Sequence, residues 1–555
     1  MPVKVDTFVQ KKCRQFHSLN GLSSSSVRRI WITDEGVVVK TENEQALWDG
    51  AEWRRVSLPV PPEPRVSLHS LPTPPFEDIV CSASGPDSSV WIGGASGAAR
   101  YLNGSWTYFS GRRWLPHNYV HSITVDAKGN AWVGTEKGVS WIHFIPMTLR
   151  EKAEIFQTIT EERHVRNGFV AECSLLNAGD TSEIIPVVTP NEGLWTSLYI
   201  ASQCFRYGVT KSPAARENAI KSLMALFRLL EVTGVKGFMA RSIVEVTERC
   251  LGCEDKNGDW CKGEGPYANY IWRDDPSSDE VDGHYMAWYL CYEMVASEEE
   301  KELIRRACRD VTDHIIEHGY YLVGRNGKPT SWGVWAPEKL NQDPEWLDER
   351  GLNSLEILSH LKVAHHICQD DKYEKAYRDL IHDHGYAINL VNQKMLPPVG
   401  PDNHSDDELA WCAYYPLLQL EQDPELKRIY LLSLEKTWSM LKPQKSPFYN
   451  FLYGALTGNK CDAEVAVEWL KDTPLDLVDW TMLNSHRKDV VIATYRGRLG
   501  ELQTNRVLPI SERAIHKWNS NPYALDGGGG GVFELDGSFW LLPYWFGRYH
   551  RIIDG

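Results

Sequence analysis

At 555 residues the chain is too long for one compact core, so two or more domains are expected. A formal net charge of −15, from 59 basic and 74 acidic residues, excludes nucleic acid and anionic membrane as main partners, because both need a basic footprint. No run reaches the ~18 apolar residues of a membrane-spanning helix, and the start, Met1-Pro2-Val3-Lys4-Val5-Asp6, lacks the apolar core of a signal peptide, so a soluble, cytoplasmic protein is expected.

Residues 1–150 read as β. Strand-like runs such as Arg29–Thr33, Gly36–Lys40, Ser89–Gly93, His121–Val125 and Asn130–Gly134 are short and separated by turns, and Asp49-Gly50 and Asn103-Gly104 have the form of tight hairpin turns. The pattern beginning at Trp91 (Trp-Ile-Gly-Gly-x-x-Gly97) returns at Trp132 (Trp-Val-Gly-Thr-x-x-Gly138), and Trp31 to Gly36 is a shorter version. A period of roughly 40 residues carrying an aromatic strand marks a propeller blade. Val120, Asp126, Gly129, Asn130, Trp132, Gly134, Thr135, Gly138 and Val139 together resemble the two-component regulator propeller repeat. About three blades fit, fewer than the four or more of a closed propeller. The unit is therefore expected to be either an incomplete propeller leaning on its neighbour or a small twisted β-domain.

From residue 151 to 490 the pattern is helical, and the helices come in pairs. After a first helix near 151–166, the pairs are 194–209 with 214–231, 279–295 with 298–318, 352–368 with 373–390, 406–420 with 424–441, and 448–456 with 463–470; a last helix is expected near 475–483. The first member is apolar nearly all round, as in Met286-Ala-Trp-Tyr-Leu-Cys-Tyr. The second is amphipathic and charged, as in Glu298-Glu-Glu-Lys-Glu-Leu-Ile-Arg-Arg. An inner and an outer ring of helices require this alternation. The arrangement resembles the (α/α)6 toroid of many glycoside hydrolases, polysaccharide lyases and sugar epimerases. The expected fold is thus multidomain and mainly α: a propeller-like domain over 1–150, a toroid carrying the active site over 151–490, and a β/loop C-terminal segment over 491–555 that packs on the toroid. Of 12 cysteines, most stand singly in apolar helical stretches. Cys250, Cys253 and Cys261 form the one cluster; a CxxC with a third Cys leaves a zinc site open, but no fourth Cys follows at usual spacing, and a loop of free thiols is the default reading. No metal and no cofactor is assigned, and the oligomeric state is left open.

Polar clusters run directly into the inner helices. If the helices form one ring, these clusters meet at one mouth. Asn403-His404-Ser405-Asp406-Asp407-Glu408 offers crowded carboxylates and an imidazole, a setting that raises one carboxyl pKa and suits general acid–base work. Ser405 with Glu408 also fits a capping box. Residues 272–285 add Asp279, Asp282, His284 and Tyr285, with Ser278 as an alternative cap. Gly283 in that first turn costs roughly 1 kcal/mol against Ala, which makes sense only if another backbone approaches closely. The catalytic candidates are Asp279, Asp282, His284, Tyr285, His404, Asp406 and Asp407. The substrate-binding candidates are Glu192, Trp195, Arg241, Trp272, Trp332, Trp335 and Asn353. With 22 Trp, 24 Tyr and 15 Phe the aromatic content exceeds packing needs and suits a concave surface that stacks on sugar rings. No P-loop, dinucleotide fingerprint, HExxH or GxSxG stands in the chain.

These features point to a carbohydrate-active enzyme acting on a glycan or small molecule, in the first place a glycoside hydrolase with paired carboxylates. A uronic-acid lyase or epimerase, a non-catalytic binding scaffold, and a cyclase-like enzyme for an apolar molecule stay open beside it.

Overall fold

The computed structural model describes residues 2–17, 24–64, 66–256, 258–394, 399–515 and 517–555. The N-terminal part forms three four-stranded antiparallel sheets. The first holds Arg29–Thr33, Gly36–Lys40, Gln45–Trp48 and Trp53–Val56 in that order; the second holds Ile79–Ser84, Val90–Gly94, Gly97–Leu102 and Ser105–Phe109. In the third, Val120–Val125, Ala131–Thr135 and Gly138–Met147 are completed by Phe8–Phe16 from the start of the chain, with Phe8 opposite Met147 and Phe16 opposite Val139. The Val120–Val125 strand packs on both Arg29–Thr33 and Ile79–Ser84, so the third sheet sits between the other two.

The repeat has a steric basis. Its terminal glycine, Gly36, Gly97 or Gly138, has φ between 132° and 144°. In each case a Cβ would strike the carbonyl oxygen of a neighbouring strand: Trp48, Phe109 or Phe16. Only glycine fits there. The Asn103-Gly104 turn has positive φ at both residues, as a two-residue hairpin turn demands.

Among the described residues, twelve helices of ten residues or more follow and pair as hairpins: α1 Leu149–Ile159, α2 Glu192–Thr210, α3 Pro213–Glu231, α4 Ser278–Met294, α5 Glu298–Glu317, α6 Arg350–Cys368, α7 Asp371–His382, α8 His404–Leu420, α9 Pro424–Leu441, α10 Pro447–Thr457, α11 Ala463–Asp472 and α12 Ser538–Tyr549; the short helices Pro337–Gln342 and Tyr386–Asn389 lie between them. Helix α2 packs on α4, α4 on α6, α6 on α8, α8 on α10, α10 on α12, and α12 back on α2; each odd-numbered helix lies outside an even-numbered one. The result is a toroid-like ring. Its inner helices are buried nearly all round, and α5, typical of the outer ones, buries only one face. The first and last helices make one hairpin, with Phe156 against Trp540 at 5.2 Å between ring centres.

The structure corrects three features of the sequence reading. The C-terminal segment is not β and loop throughout: α12 is an inner helix of the ring despite Pro543 inside it. Its aromatic, proline-containing run has no amphipathic period because every side of it is buried. The expected helix at 475–483 is absent; Asp476 accepts hydrogen bonds from Val478 N and Trp480 Nε1, and Val478 bridges to Glu534. Apolar spacing there serves an irregular chain packed on Cys173 and Leu175. Finally, Cys250 and Cys253 are not free thiols but form a disulfide, while Cys261 stays reduced.

The segment 473–537, between α11 and α12, leaves the ring and docks the β part. Met482 and Ala514 belong to the core of the second and third sheets, Trp114 Nε1 donates to the Ser511 carbonyl at 3.0 Å, and Arg487 pairs with buried Glu512 at 2.7 Å. Among the described residues no helix is long and apolar enough to cross a membrane.

Candidate active site

The inner helices present their N-termini to one side, and there a cavity of about 320 Å³ is lined by residues of several chain segments. Asn191 precedes α2, and Ser277, Ser278 and Asp279 open α4. Glu349, Leu352 and Asn353 come from the start of α6, and Asn403, Ser405, Asp406 and Leu409 from α8. Arg241, Trp332, Trp346 and Arg498 complete the wall from loops and short strands. Two sequence candidates from different helices, Asp279 and Asp406, therefore face one space.

Their surroundings differ. Asp279 Oδ2 accepts from Ser277 Oγ at 2.5 Å and from Asn191 Nδ2 at 3.3 Å. Burial nevertheless raises its pKa, with the Arg241 charge and these hydrogen bonds opposing. Arg241 holds the arrangement from behind, donating from Nη1 to Asn191 Oδ1 at 2.7 Å. Asp406 accepts from Asn403 Nδ2 at 2.6 Å and is ion-paired with Lys394. One carboxyl is thus held toward its neutral form by desolvation, and the other lies beside an ammonium.

The capping alternatives give way to these contacts. Ser277, not Ser278, precedes α4, and its hydroxyl serves Asp279 rather than a backbone N–H. Helix α8 starts at His404 after Asn403, with no capping box between Ser405 and Glu408. Glu408 instead is buried in the ring, where desolvation pushes its pKa up to about 8 against the opposing charge of Lys517.

Other candidates do not reach this cavity. One turn below Asp279, Asp282 accepts from His360 Nε2 at 2.5 Å. Burial drives the Asp282 pKa well up and the His360 pKa down to about 3. His284 Nδ1 donates to the Glu280 carbonyl at 2.6 Å, and burial lowers its pKa to about 4. Tyr285 bonds Thr312 at 2.6 Å and stacks on His360, and burial raises its pKa. All three point into packed protein because α4 is buried on every side. Glu192, a substrate-binding candidate, is buried as the ion-pair partner of Arg166 at 2.5 Å and does not line the cavity. Trp272, in the central strand Tyr270–Arg273 of a three-stranded sheet, is fully buried, and Trp335 is fully buried with Nε1 on Glu356 Oε2 at 2.8 Å, so neither offers a stacking face. Trp195 lies under the Lys517 ammonium at 4.1 Å, outside the cavity wall.

Of the loop tryptophans, Trp332 does line the cavity. It is 54% exposed and leans on Trp346, with 6.0 Å between ring centres. Asn353 also lines it, with Nδ2 anchored on the Val334 carbonyl at 2.8 Å. His404 and Asp407 lie just behind Asp406; His404 opens onto an adjoining cavity of about 490 Å³ that shares Asn403, Ser405 and Arg498 with the first. Sequence reasoning missed Ser277, Trp346, Glu349, Lys394 and Arg498. Ser277, two residues before Asp279, and Glu349, one turn before Asn353, were within reach of the same argument. Lys394 and Arg498 stand in loops whose pattern holds no cue to a helix mouth.

Residues 115–137 match the family described as Two component regulator propeller, within the third sheet. No curated protein matches the chain. Among solved structures, the extracellular domain of a protein described as a one-component system from Bacteroides thetaiotaomicron is similar at 19% identity, TM-score 0.11, over 22% of each chain, so this chain spans about a fifth of that protein. A sugar epimerase from a ruminal bacterium is similar at 12% identity over 73% of this chain and 97% of that one, TM-score 0.36. A family 76 glycoside hydrolase from a bovine Bacteroides thetaiotaomicron strain is similar at 9% identity over 84% and 98%, TM-score 0.37.

Proposed function

We propose that the chain is a carbohydrate-active enzyme, a glycoside hydrolase whose acid and base are Asp279 and Asp406. The observation that carries this reading is the single cavity in which both carboxyls stand, one raised by burial and the other paired with an ammonium. Protonated Asp279 donates to the glycosidic oxygen as it leaves, and Asp406 assists water or attacks the sugar carbon. Trp332 offers an exposed aromatic face at the rim, and Asn191, Asn353 and Glu349 supply hydrogen-bonding groups for hydroxyls.

The test is sugar release from a panel of glycans. Asp279→Asn and Asp406→Asn are each expected to lower kcat by roughly 10²–10⁴-fold with an unchanged circular dichroism spectrum. Full activity in both variants sinks the assignment.

Arg241 and Arg498 in the same wall favour a second reading, an enzyme that abstracts a proton beside a uronic-acid carboxylate. Elimination leaves an unsaturated uronate at the new non-reducing end and epimerisation leaves the chain uncut with an inverted uronate, whereas hydrolysis adds water and leaves a saturated non-reducing end, so product analysis on the same panel separates the readings.

A further inference from the structure

Behind Asp406 lies a second group of side chains that the carboxylate pair does not use. Asp402, His404 and Asp407 each bring a ligand atom within 4.8 Å of the others'. They are only 4%, 4% and 3% exposed. His404 Nδ1 stands 3.7 Å from Asp402 Oδ2 and 3.8 Å from Asp407 Oδ2, outside hydrogen-bond reach. Among the described residues neither ring nitrogen of His404, nor Asp402 Oδ1, nor Asp407 Oδ2 has a hydrogen-bond partner. A buried polar atom without a partner is costly, and four in one place call for a missing partner.

The missing partner is a cation rather than another hydrogen-bonding group. Two carboxylates and an imidazole whose ligand atoms all lie within 4.8 Å of one another are the donor set of a metal ion. Lys394, the ammonium beside this group, is already engaged by Asp406. The three side chains come from one helix end, His404 and Asp407 three residues apart on α8, so they are held in place before anything binds. Asp402 and His404 also line the cavity of about 490 Å³, which is the entry path.

A second trio, His164, Cys173 and Glu534, has comparable spacing but not the same need. Glu534 already accepts two hydrogen bonds from Arg163, at 2.6 and 2.8 Å, and His164 Nδ1 donates to the Ala171 carbonyl at 2.9 Å.

We propose that Asp402, His404 and Asp407 form a binding site for a divalent transition-metal ion of the Zn²⁺ or Mn²⁺ kind, one imidazole nitrogen and two carboxylate oxygens leaving the remaining positions to water. Two carboxylates balance the ionic charge, and the mixed nitrogen–oxygen donors suit first-row divalent ions rather than a soft, thiolate-seeking ion. Binding is measured without turnover, so the inference stands or falls apart from the hydrolase reading.

The full-length chain, stripped with a chelator and dialysed, is titrated calorimetrically with Zn²⁺ and with Mn²⁺, and separately loaded with Co²⁺ for its visible spectrum. One ion per chain is expected, with cobalt bands of nitrogen and oxygen ligation and no thiolate charge-transfer band. Asp402→Asn and His404→Gln should each weaken binding at least about 10–100-fold, the loss that even an outer-shell partner brings, while Cys173→Ser binds as before. The spectrum reads the ligands in the unmutated chain, so a variant that fails to fold does not decide the matter. The proposal is overturned by failure of the unmutated chain to bind either ion stoichiometrically, by unchanged binding in both folded variants, or by a thiolate band that disappears in Cys173→Ser.

Discussion

Glu408 illustrates how one buried carboxyl ties the site to the stability of the ring. Its ordinary value of 4.5 rises to about 8 on folding because desolvation outweighs the attraction of Lys517. The folded chain therefore holds a proton that the unfolded chain has lost between these two values. Stability from this group is complete below pH 4.5 and falls as pH rises toward 8, by up to about 1.4 kcal/mol per pH unit. Glu408→Gln, which keeps the shape of the protonated acid, is expected to flatten the decline of the melting temperature between pH 5 and pH 8. An equally steep decline in the variant would show that another group holds the proton. The same residue shows how a sequence reading goes astray: Ser405 and Glu408 have capping-box spacing, which starts a helix at 406, but α8 starts two residues earlier, at His404, and Glu408 is buried. Asp279 and Asp406 are legible in the sequence as first-turn acids of apolar helices, a place that acids also take to complement the helix dipole, and only the fold places both on one cavity. Asp282, His284 and Tyr285 sit on the next turn of α4, and depth along the helix axis, which spacing does not encode, removes them from the cavity.

At the level of elements, the approach of α2 to α4 depends on a missing side chain. A Cβ on Gly283 would stand 2.8 Å from Leu194 Cα and 3.1 Å from Ser197 Oγ. The glycine that looked costly in a helix is required by close backbone approach, as its position suggested. Gly283→Ala gains at most about 1 kcal/mol of helix propensity and loses about 1–3 kcal/mol to overpacking. A lower urea midpoint is the expected result, with a higher midpoint refuting the close-packing account. Because Asp279 lies one turn away on α4, a shifted contact also moves the acid. The alternation of apolar and amphipathic helices was readable as far as α11, since each outer helix announces its solvent face. Helix α12 escaped notice because it is buried all round and so shows no amphipathic period.

The β part and the helical ring behave as one body. Phe8 and Met147 belong to the same apolar core as the inner helices. Val3 pairs with Ile553 at the far end of the chain. Lys152 on α1 is fully buried, and Nζ donates to Gln10 Oε1 at 2.8 Å and to the Thr473 carbonyl at 2.5 Å. Lys11 is ion-paired with Asp472 at the end of α11. Removing the first 147 residues would expose this core and leave Lys152 without its Gln10 partner, so the truncated chain is expected to be insoluble. The intact chain should show a single calorimetric transition; two separated transitions would mean that the parts fold independently. Local pattern alone determined the blade repeat, the paired helices and the acidic clusters at the inner-helix starts, because strand turns, amphipathic faces and helix beginnings are properties of neighbouring residues. Tertiary structure decided which acids share a cavity, that the chain's last helix closes the ring beside its first, and that Asp402, His404 and Asp407 meet with no partners of their own. Those outcomes depend on depth, burial and the meeting of segments hundreds of residues apart, none of which a local spacing records.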